Sequence, residues 1–232
     1  MNILLTGASR GIGAAALAAL RSTGHRVAGQ STAGAGDLLP ADFTDPAAPR
    51  KLWEAALAEL GSIDVLVNNA GVFEAIADDA DDDAWHAAWA RTLSVNLQAS
   101  ADLSRLAIAH FRTTGGGRIV NVASRAAYRG DSPEHWHYAA SKAGMIAMTK
   151  SIARGYARDN ILAFAVCPGF TMTGMAEEYL GSRGGDKLLA DIPLGRVASA
   201  EEVAETIRWL SIDAPASATG AVIDVNGASY VR

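Results

Sequence analysis

The feature that most constrains the fold of this chain is a series of short apolar segments rich in valine and isoleucine. Apolarity that continues from residue to residue, without alternation, is typical of strands buried on both faces of a parallel sheet. The segments are Ile3–Leu5, Val27–Ala28, Leu38–Leu39, Ile63–Val67, Arg118–Val122, Ile161–Val166 and Ala221–Val225. They predict the strands of one parallel sheet.

Segments rich in alanine and leucine, with helical spacing of their apolar residues, separate these strands. They are Ile12–Thr23, Pro46–Leu60, Ala84–Phe111, Tyr138–Arg158 and Ala200–Ser211. Gly24 and Gly61 follow the first two segments directly, as glycines at helix C-termini do. Segment 84–111 is long enough for two helices or one bent helix. Strands alternating with helices predict a doubly wound α/β sheet, in a single domain over residues 1–232.

Two regions interrupt this rhythm. Between Val27 and Phe43 there is no room for a full crossover helix, because Ser31–Gly36 is short and rich in glycine, so a loop-like connection is expected. Residues 172–193 contain four glycines around a short helical patch and predict a flexible insertion that forms a substrate loop. The acidic run Asp78–Asp83 predicts a solvated loop leading into a helix N-terminus, where carboxylates interact favourably with the helix dipole.

Composition excludes several classes of protein. The chain has 232 residues, of which 50% are hydrophobic and 19% charged, so it can form a large core and is not a disordered chain. The net charge of −5, with no basic block longer than Arg50-Lys51, argues against a nucleic-acid binder. No apolar stretch approaches 18 residues, and the strand-like segment 1–7 is unlike a signal peptide. A single cysteine, Cys167, excludes an internal disulfide and a cysteine-based metal cluster, so we expect a cytoplasmic protein without a metal.

A glycine-rich segment lies between the first strand and the first helix, with the sequence Thr6-Gly7-Ala8-Ser9-Arg10-Gly11-Ile12-Gly13. Glycines there allow a tight turn and a close approach to a pyrophosphate, whose charge is received by the helix N-terminus. The spacing differs from the usual G-x-G-x-x-G pattern, so a purely structural turn stays open as an alternative.

Polar residues follow two further strands. Asn68-Asn69-Ala70-Gly71 ends the strand 63–67, at the sheet edge where parallel sheets bind ligands, although such a segment is also an ordinary turn signal. Tyr138 and Lys142 are four residues apart and share a helix face, where the cation would lower the phenol pKa and make it a usable acid or base. Ser124, after the strand 118–122, could bind a carbonyl oxygen. Without the other motifs, the Tyr138/Lys142 pair would be read as a solvated helix face.

Taken together, these residues resemble the short-chain dehydrogenase/reductase family, especially its branch of bacterial 3-oxoacyl-acyl-carrier-protein reductases. The resemblance covers nearly the whole chain. It rests on the glycine turn, Asn68–Gly71, Asn96 in Ser94-Val95-Asn96-Leu97, Ser124, Tyr138, Lys142, Pro168-Gly169 and the final Val225-Asn226-Gly227. It implies a Rossmann-like seven-stranded sheet, a nicotinamide dinucleotide and hydride transfer to or from a carbonyl carbon.

The resemblance also implies roles for individual residues. Tyr138 would donate the proton, Ser124 would hold the carbonyl oxygen, and Lys142 would bind the nicotinamide ribose and lower the Tyr138 pKa. Asn96 would hold a water that links Lys142 to solvent. Residues expected to contact the cofactor are Gly7, Ser9, Arg10, Gly11, Ile12, Gly13, Ser31, Thr32, Asp42, Phe43, Asn69, Ala70, Gly71, Tyr138, Lys142, Pro168, Gly169, Thr171 and Thr173.

The end of the second strand bears on the choice of cofactor. NAD-specific sites place an acidic residue there, which binds the ribose hydroxyls and repels a 2′-phosphate. Here Ser31 and Thr32 follow the strand, and no acid occurs before Asp37. Since Arg10 in the glycine turn can pair with a phosphate, NADP(H) is the expected cofactor, with NAD(H) as the alternative. Asp42 is expected to face the adenine.

The substrate pocket is expected to be apolar. Apolar residues expected around the nicotinamide are Phe73, Trp136, Phe170, Met172, Met175 and Tyr179, which suggest an apolar or aromatic carbonyl substrate unless they are ordinary packing residues. Ser124 and Tyr138 are 14 residues apart, one more than is usual in the family, so the loop 128–137 is one residue longer. His135 and His137 lack neighbours at ligand spacing and are expected to be polar loop residues, and Cys167 a small core residue.

These observations predict an NADP(H)-dependent oxidoreductase acting on a small carbonyl or alcohol substrate, which includes acyl thioesters. The alternative is a non-catalytic dinucleotide sensor on the same fold, which would not need the proton donor Tyr138. A homodimer or homotetramer is expected, because the two long helices carry apolar residues beyond what one sheet face needs. Those residues are Leu97, Leu103, Ala107, Met145, Met148 and Ile152.

Overall fold

The structure is a computed structural model, and it describes residues 1–172 and 189–232. Its centre is a parallel sheet of seven strands in the order β3-β2-β1-β4-β5-β6-β9. The nine strands of the described residues are β1 Asn2–Leu5, β2 Arg26–Ser31, β3 Leu39–Pro40, β4 Val65–Asn68, β5 Gly117–Val122, β6 Ile161–Pro168, β7 Thr171–Met172, β8 Ala198–Ser199 and β9 Val222–Val225. Strands β7 and β8 form a separate two-stranded parallel sheet, which the sequence analysis did not predict.

Helices cover both faces of the large sheet. They are α1 Gly11–Ser22, α2 Ala48–Leu60, α3 Asp82–Leu93, α4 Ala99–Thr114, α5 Ala126–Arg129, α6 Trp136–Tyr156 and α7 Ala200–Ile212, with a π-helical segment Ser94–Gln98 between α3 and α4. Helices α1 and α7 pack on one face, and α2, α4 and α6 on the other. The predicted single-domain, doubly wound α/β fold is confirmed.

Successive residues of each strand supply the two cores. In β1, Leu4 packs with the α2, α4 and α6 side, while Ile3 and Leu5 pack with the α1 and α7 side. In β4, Leu66 packs with the α2, α4 and α6 side, and its neighbour Val65 packs with the α1 and α7 side. Since side chains alternate between faces along a strand, a strand covered on both sides must be apolar at every position. This explains the continuous apolar runs of the sequence.

The chain order along the sheet reverses between β1 and β4. Strands β2 and β3 lie to one side of β1, whereas β4, β5, β6 and β9 lie to the other. In open parallel sheets, such a reversal leaves a crevice outside the carboxyl ends of the strands, where ligands bind. The glycine turn after β1 and the Asn69–Gly71 segment after β4 therefore lie side by side at this crevice.

Several local predictions can be compared with the structure. Residues 84–111 fall on one continuous helical path, in which the π-helical segment joins α3 to α4. The acidic run leads to a helix N-terminus as predicted, because Asp81 caps α3 and its Oδ1 accepts a hydrogen bond from the Ala84 N–H at 2.8 Å. The connection between β2 and β3 contains no helix. The predicted insertion 172–193 lies largely outside the described residues.

Most of the apolar residues expected to mediate assembly are buried core residues, so that expectation is wrong for them. Leu103, Ala107 and Met145 are almost fully buried within the protomer itself, and Ile152 is only 6% exposed. These residues fill the core because α4 and α6 each cover the sheet, so they are not surplus apolar surface. Of the six residues predicted, Leu97 and Met148 are the ones that remain partly exposed. None of the helices in residues 1–172 and 189–232 combines the length and the apolarity of a membrane-spanning helix.

Candidate active site

The glycine turn after β1 has a geometry that side chains would destroy. Gly7 has a φ of +66°, and a Cβ on it would lie 2.8 Å from the Cα of Ala70. A Cβ on Gly13 would lie 1.8 Å from the Gly7 carbonyl oxygen. Arg10 precedes α1 with an extended backbone and no side-chain cap, so the N–H groups of the first turn remain available to an anion. The turn therefore fits the pyrophosphate of a dinucleotide.

Thr6 and Asn69 hold the glycine turn against the end of β4. The buried Thr6 Oγ1 accepts hydrogen bonds from the backbone N–H groups of Asn69 at 2.9 Å and Ala70 at 3.0 Å. In return, the Asn69 side-chain amide donates to the carbonyls of Thr6 and Gly7, both at 3.0 Å. Asn69 thus positions the glycine turn. Its expected contact to the cofactor stays a prediction.

Gln30 fixes the turn from the other side. Its Oε1 accepts a hydrogen bond from the Gly7 N–H at 2.8 Å, and its Nε2 donates to the Ala41 carbonyl at 2.7 Å. The side chain is buried at the end of β2. Sequence reasoning missed both Gln30 and the Thr6 hydroxyl, although a polar residue ending an apolar strand is a signal that could have pointed to each.

The region after β2 carries no acidic side chain near the glycine turn. Ser31 is buried, and its Oγ accepts a hydrogen bond from the Gly34 N–H at 3.0 Å, while Thr32 and Arg10 are exposed. Asp37, the first acid after the strand, pairs with Arg21 at 2.7 Å. Since Arg21 lies in the last turn of α1, that carboxylate is held at the end of the helix away from the turn.

Asp42 and Phe43 follow β3. Asp42 Oδ1 accepts hydrogen bonds from the Thr44 N–H at 3.0 Å and the Thr44 hydroxyl at 2.8 Å, which lower the pKa of this carboxyl group. The Phe43 side chain is buried, and its carbonyl accepts a hydrogen bond from Ser94 Oγ at 2.8 Å. Asp42 is exposed, so its second carboxylate oxygen can accept a bond from an adenine amine.

Tyr138 and Ser124 meet at the carboxyl end of the sheet. Tyr138 lies in the first turn of α6, and Ser124 follows β5 with its Oγ accepting the Ala126 N–H at 3.1 Å. A hydrogen bond with Ser124 lowers the pKa of Tyr138, but burial raises it more, to about 12, with a further contribution from Asp131. The phenol is therefore neutral at physiological pH and holds a proton that it can donate.

Lys142 is buried one helical turn after Tyr138. Its Nζ lies 5.8 Å from the Tyr138 ring centre and donates a hydrogen bond to the Val122 carbonyl at 2.8 Å. Burial lowers the pKa of Lys142 to about 8. The expected lowering of the Tyr138 pKa below its ordinary value is wrong for this geometry, because the ammonium is directed at the strand carbonyl and desolvation of the phenol dominates.

Asn96 lies fully buried in the π-helical segment. Its Oδ1 accepts the Val72 N–H at 2.8 Å, while its Nδ2 donates to the Val72 carbonyl at 3.0 Å and to Ser141 Oγ at 3.2 Å. A Cβ on Gly71 would lie 3.3 Å from Asn96 Oδ1 and 3.4 Å from Lys142 Nζ. Asn96 thus fastens the loop after β4 to the helix that carries Tyr138, and its role in holding a water stays a prediction.

The end of β6 completes the crevice. Gly169 packs against Asn226, because a Cβ on Gly169 would lie 2.8 Å from the Asn226 Cβ. Thr171 is buried and its Oγ1 donates to the Gly169 carbonyl at 3.2 Å. Pro168 ends the strand. Thr173, Met175 and Tyr179, which the sequence analysis also assigned to the site, lie outside the described residues.

Aromatic side chains lie next to Tyr138 and around the start of α6. Phe73 contacts the Tyr138 ring edge-on at 4.8 Å, and Trp136 contacts Trp85 at 5.5 Å. The interpretation of His135 and His137 as polar loop residues is wrong. His135 is only 9% exposed and His137 is fully buried, because the helix α6 begins at Trp136 and turns both rings towards α3 and Phe73. Among the described residues, no cluster of possible metal ligands occurs.

Comparisons with known proteins agree with this geometry. A family model described as enoyl-(acyl carrier protein) reductase matches residues 7–228. The 3-oxoacyl-acyl-carrier-protein reductase FabG of Escherichia coli (strain K12) is 33% identical over 241 residues, covering 98% of this chain and 96% of that protein. The chain belongs to the short-chain dehydrogenase/reductase family. Two other relatives match this chain over a similar share of its length, and their names state substrates different from that of the Escherichia coli protein.

An acetoacetyl-CoA reductase of Rhizobium meliloti (strain 1021) is 31% identical over 98% of this chain and 97% of its own length. A cis-4-hydroxycyclohexanecarboxylate dehydrogenase of Sinomonas cyclohexanicum is 36% identical over 97% of this chain and 94% of its own length. This short-chain dehydrogenase/reductase is thus an enzyme that depends on a nicotinamide cofactor, and the reading as a non-catalytic sensor is set aside.

Proposed function

We propose that the protein is an NADP(H)-dependent oxidoreductase that interconverts a carbonyl compound and the corresponding alcohol. The observation that carries the proposal is the convergence of Ser124, Tyr138 and Lys142 beside Gly71, a glycine whose missing side chain leaves room next to Lys142 Nζ. The chemistry that the nicotinamide supplies when bound is hydride transfer to or from the carbonyl carbon. The residues of the chain itself bind and orient the cofactor and the substrate, and they donate or accept the proton.

Tyr138 is the proposed general acid in the direction of reduction. A phenol with a pKa of about 12 is protonated at pH 7, so the proton is present on Tyr138 Oη when the carbonyl oxygen gains charge. Ser124, which hydrogen-bonds to Tyr138, orients that oxygen. In the direction of alcohol oxidation Tyr138 must first lose its proton, so raised pH favours that direction.

Lys142 and Asn96 support this proton transfer in our proposal. Because burial brings the pKa of Lys142 to about 8, its ammonium exchanges protons readily near neutral pH. Asn96 holds the Val72 backbone and Ser141 in place, and so maintains the spacing between the loop after β4 and α6. Lys142 is the proposed ligand of the nicotinamide ribose.

The preference for NADP(H) is proposed from the residues at the end of β2. Ser31, Thr32 and Arg10 offer hydroxyl and guanidinium donors to a 2′-phosphate, and Asp37 is occupied by Arg21 at the far end of α1. A charge-assisted hydrogen bond contributes about 1.5–3 kcal/mol. This corresponds to a preference for NADPH over NADH of roughly 10- to 100-fold in kcat/KM.

The proposed substrate is a small carbonyl compound or alcohol. The relatives named above act on acyl thioesters and on a cyclic hydroxy acid, and the same Ser124 and Tyr138 would serve either kind of substrate. We therefore propose a small carbonyl or alcohol substrate, which includes acyl thioesters. The cytoplasm, where NADPH is available and Cys167 stays reduced, is the proposed compartment.

Assembly into a homodimer or homotetramer is also proposed. A groove of about 660 Å³ lies between α4 and α6, and its lining includes the partly exposed residues Met148 and Tyr156. Arg105 and Arg112 border this groove. A second copy of the same face, related by a twofold axis, would cover these apolar residues.

The central test replaces the proposed acid. Tyr138→Phe keeps the ring and removes only the hydroxyl, so folding and NADPH affinity should persist while turnover falls by ~10²–10⁴-fold. The measurement is oxidation of NADPH against a panel of ketones, oxoacyl thioesters and cyclic oxo acids, with cofactor binding followed by fluorescence. A Phe variant that retains near-normal turnover would show that another group donates the proton.

The cofactor proposal has its own test. We expect Arg10→Ala to lose most of the NADPH preference, measured as the ratio of kcat/KM for NADPH to that for NADH. Arg26→Ala, an exposed arginine of β2 away from the turn, is the matched control and should leave the ratio unchanged. A wild-type enzyme that prefers NADH, or an Arg10 variant with an unaltered ratio, would contradict the assignment.

A further inference from the structure

The loop after β4 presents an aromatic ring to the proposed acid. The Phe73 ring meets the Tyr138 ring edge-on, with centres 4.8 Å apart and an angle of 83°. The His135 ring stacks on Phe73, with centres 3.9 Å apart and planes inclined by 7°. One face of Phe73 is thus covered by His135, and the residue as a whole is still 44% exposed. Nearly half of Phe73 therefore remains accessible beside Tyr138, where a substrate would bind.

This stack is held in place before any substrate arrives. Ser132 Oγ and His135 Nδ1 form a hydrogen bond of 2.7 Å, which fixes the imidazole plane. The Ile76 N–H donates to the Glu134 carbonyl at 3.0 Å and joins the Phe73 loop to the segment before α6. A preformed surface of this kind lowers the entropy lost on binding. The loop 128–137 supplies both Ser132 and His135.

Exposed aromatic rings are concentrated at this rim. Trp136, which follows His135 in the chain, is 50% exposed and packs on Trp85 of α3. Large apolar side chains that are exposed together, next to polar groups that can react, mark a binding surface. Scattered exposed apolar residues would carry no such meaning.

We propose that Phe73, backed by His135, is a specificity-determining residue that selects carbonyl substrates bearing a planar ring. The substrate ring would pack on the exposed part of Phe73, next to Tyr138, and extend the group of aromatic rings that His135 and Phe73 begin. This inference rests on the proposed function, because it assigns the substrate class of the same site. An aromatic pair contributes beyond its buried area by an amount equivalent to about 2- to 12-fold in kcat/KM.

The test compares two ketones that differ only in ring character. Benzylacetone has a planar ring separated from its carbonyl by two methylene groups, and its saturated cyclohexyl analogue has nearly the same size and carbonyl reactivity. We expect the wild-type enzyme to favour benzylacetone, and Phe73→Leu to reduce that preference by about 2- to 12-fold. Phe73→Tyr keeps a ring and should restore the preference. Trp209→Leu, an exposed aromatic residue of α7, is the control and should leave the preference unaltered.

The outcomes separate this inference from the proposed function. Equal kcat/KM values for the two ketones, or an unchanged ratio in Phe73→Leu, would overturn the role of Phe73 while leaving the reductase intact. If neither ketone is reduced, saturation-transfer NMR of both compounds with protein and NADP⁺ decides the matter. Stronger transfer to benzylacetone in the wild type than in Phe73→Leu supports the inference, and equal transfer contradicts it. Failure of every carbonyl in the wider panel would instead count against the proposed function.

Discussion

Replacing Lys142 with methionine should stabilise the folded protein at neutral pH. The Lys142 side chain is buried, with only 4% of the residue exposed, and its Nζ is held by the Val122 carbonyl and the Met145 sulfur. Among the described residues, no carboxylate forms an ion pair with it. Burial lowers its pKa from 10.5 to about 8, which corresponds to a cost of about 3 kcal/mol when the amine is charged.

The pH dependence of this cost distinguishes it from other effects of the substitution. Below pH 8, Lys142 is charged in both the folded and the unfolded protein, so folding bears the full cost. Between pH 8 and 10.5 the folded protein loses the proton while the unfolded chain keeps it, and the cost disappears. The free energy of unfolding of the wild type therefore gains about 3 kcal/mol over this range relative to Lys142→Met.

Urea unfolding of both proteins at about pH 7 and about pH 10 measures this difference. Lys142→Met should be the more stable protein at neutral pH, with a smaller advantage at alkaline pH, and it should lack oxidoreductase activity. Lys150→Met, which alters an exposed lysine of the same helix, is the control. A stability difference between wild type and Lys142→Met that is the same at both pH values would refute the reasoning.

Two further predictions concern the turn and the assembly. Thr6→Val removes the acceptor shared by the Asn69 and Ala70 N–H groups, so the free energy of unfolding should fall by about 1–3 kcal/mol and NADPH should bind more weakly. Thr6→Ser keeps the hydroxyl and should behave like the wild type, and equal unfolding curves for both variants would contradict the role of the hydroxyl. Light scattering at micromolar concentration should give a mass at least twice the 24.0 kDa of one chain, and Met148→Glu should reduce it. A wild-type monomer would end the proposal of assembly through α4 and α6.

Much of the fold was predictable because its signals are local. Strands buried on both faces must be apolar at every position, so an apolar run such as Ile161–Val166 can be recognised as a strand from the sequence. The strand in the structure extends two residues further, to Pro168. The strand pair β7 and β8 escaped prediction because two residues per strand carry no periodicity. The π-helical segment around Asn96 was also missed, since its apolar pattern is that of an ordinary helix.

The sequence predicted which residues form the candidate site better than it predicted their pKa values. Ser124, Tyr138 and Lys142 were found from their spacing, yet the direction of the Tyr138 pKa shift was not. That direction depends on where the ammonium points and how far the phenol is desolvated, and both are properties of the folded protein. The same holds for His137, whose burial follows from its packing against Trp89 of α3 rather than from its neighbours in sequence.

Asn68, which ends β4, begins a chain of buried polar contacts beneath the site. Its side-chain amide donates to Asn121 Oδ1 at 2.8 Å and to Ser104 Oγ at 3.2 Å, and Asn121 donates to Thr149 Oγ1 at 2.8 Å. These contacts join β4, β5, α4 and α6, and a one-turn slide of either helix would leave buried donors without acceptors. An interface made of apolar side chains alone would lose no hydrogen bonds in such a slide. The helices that carry the proposed twofold contact therefore share one rigid frame with the proposed acid. In the proposed assembly, the same few amide groups would set both the subunit geometry and the alignment of the reacting oxygen.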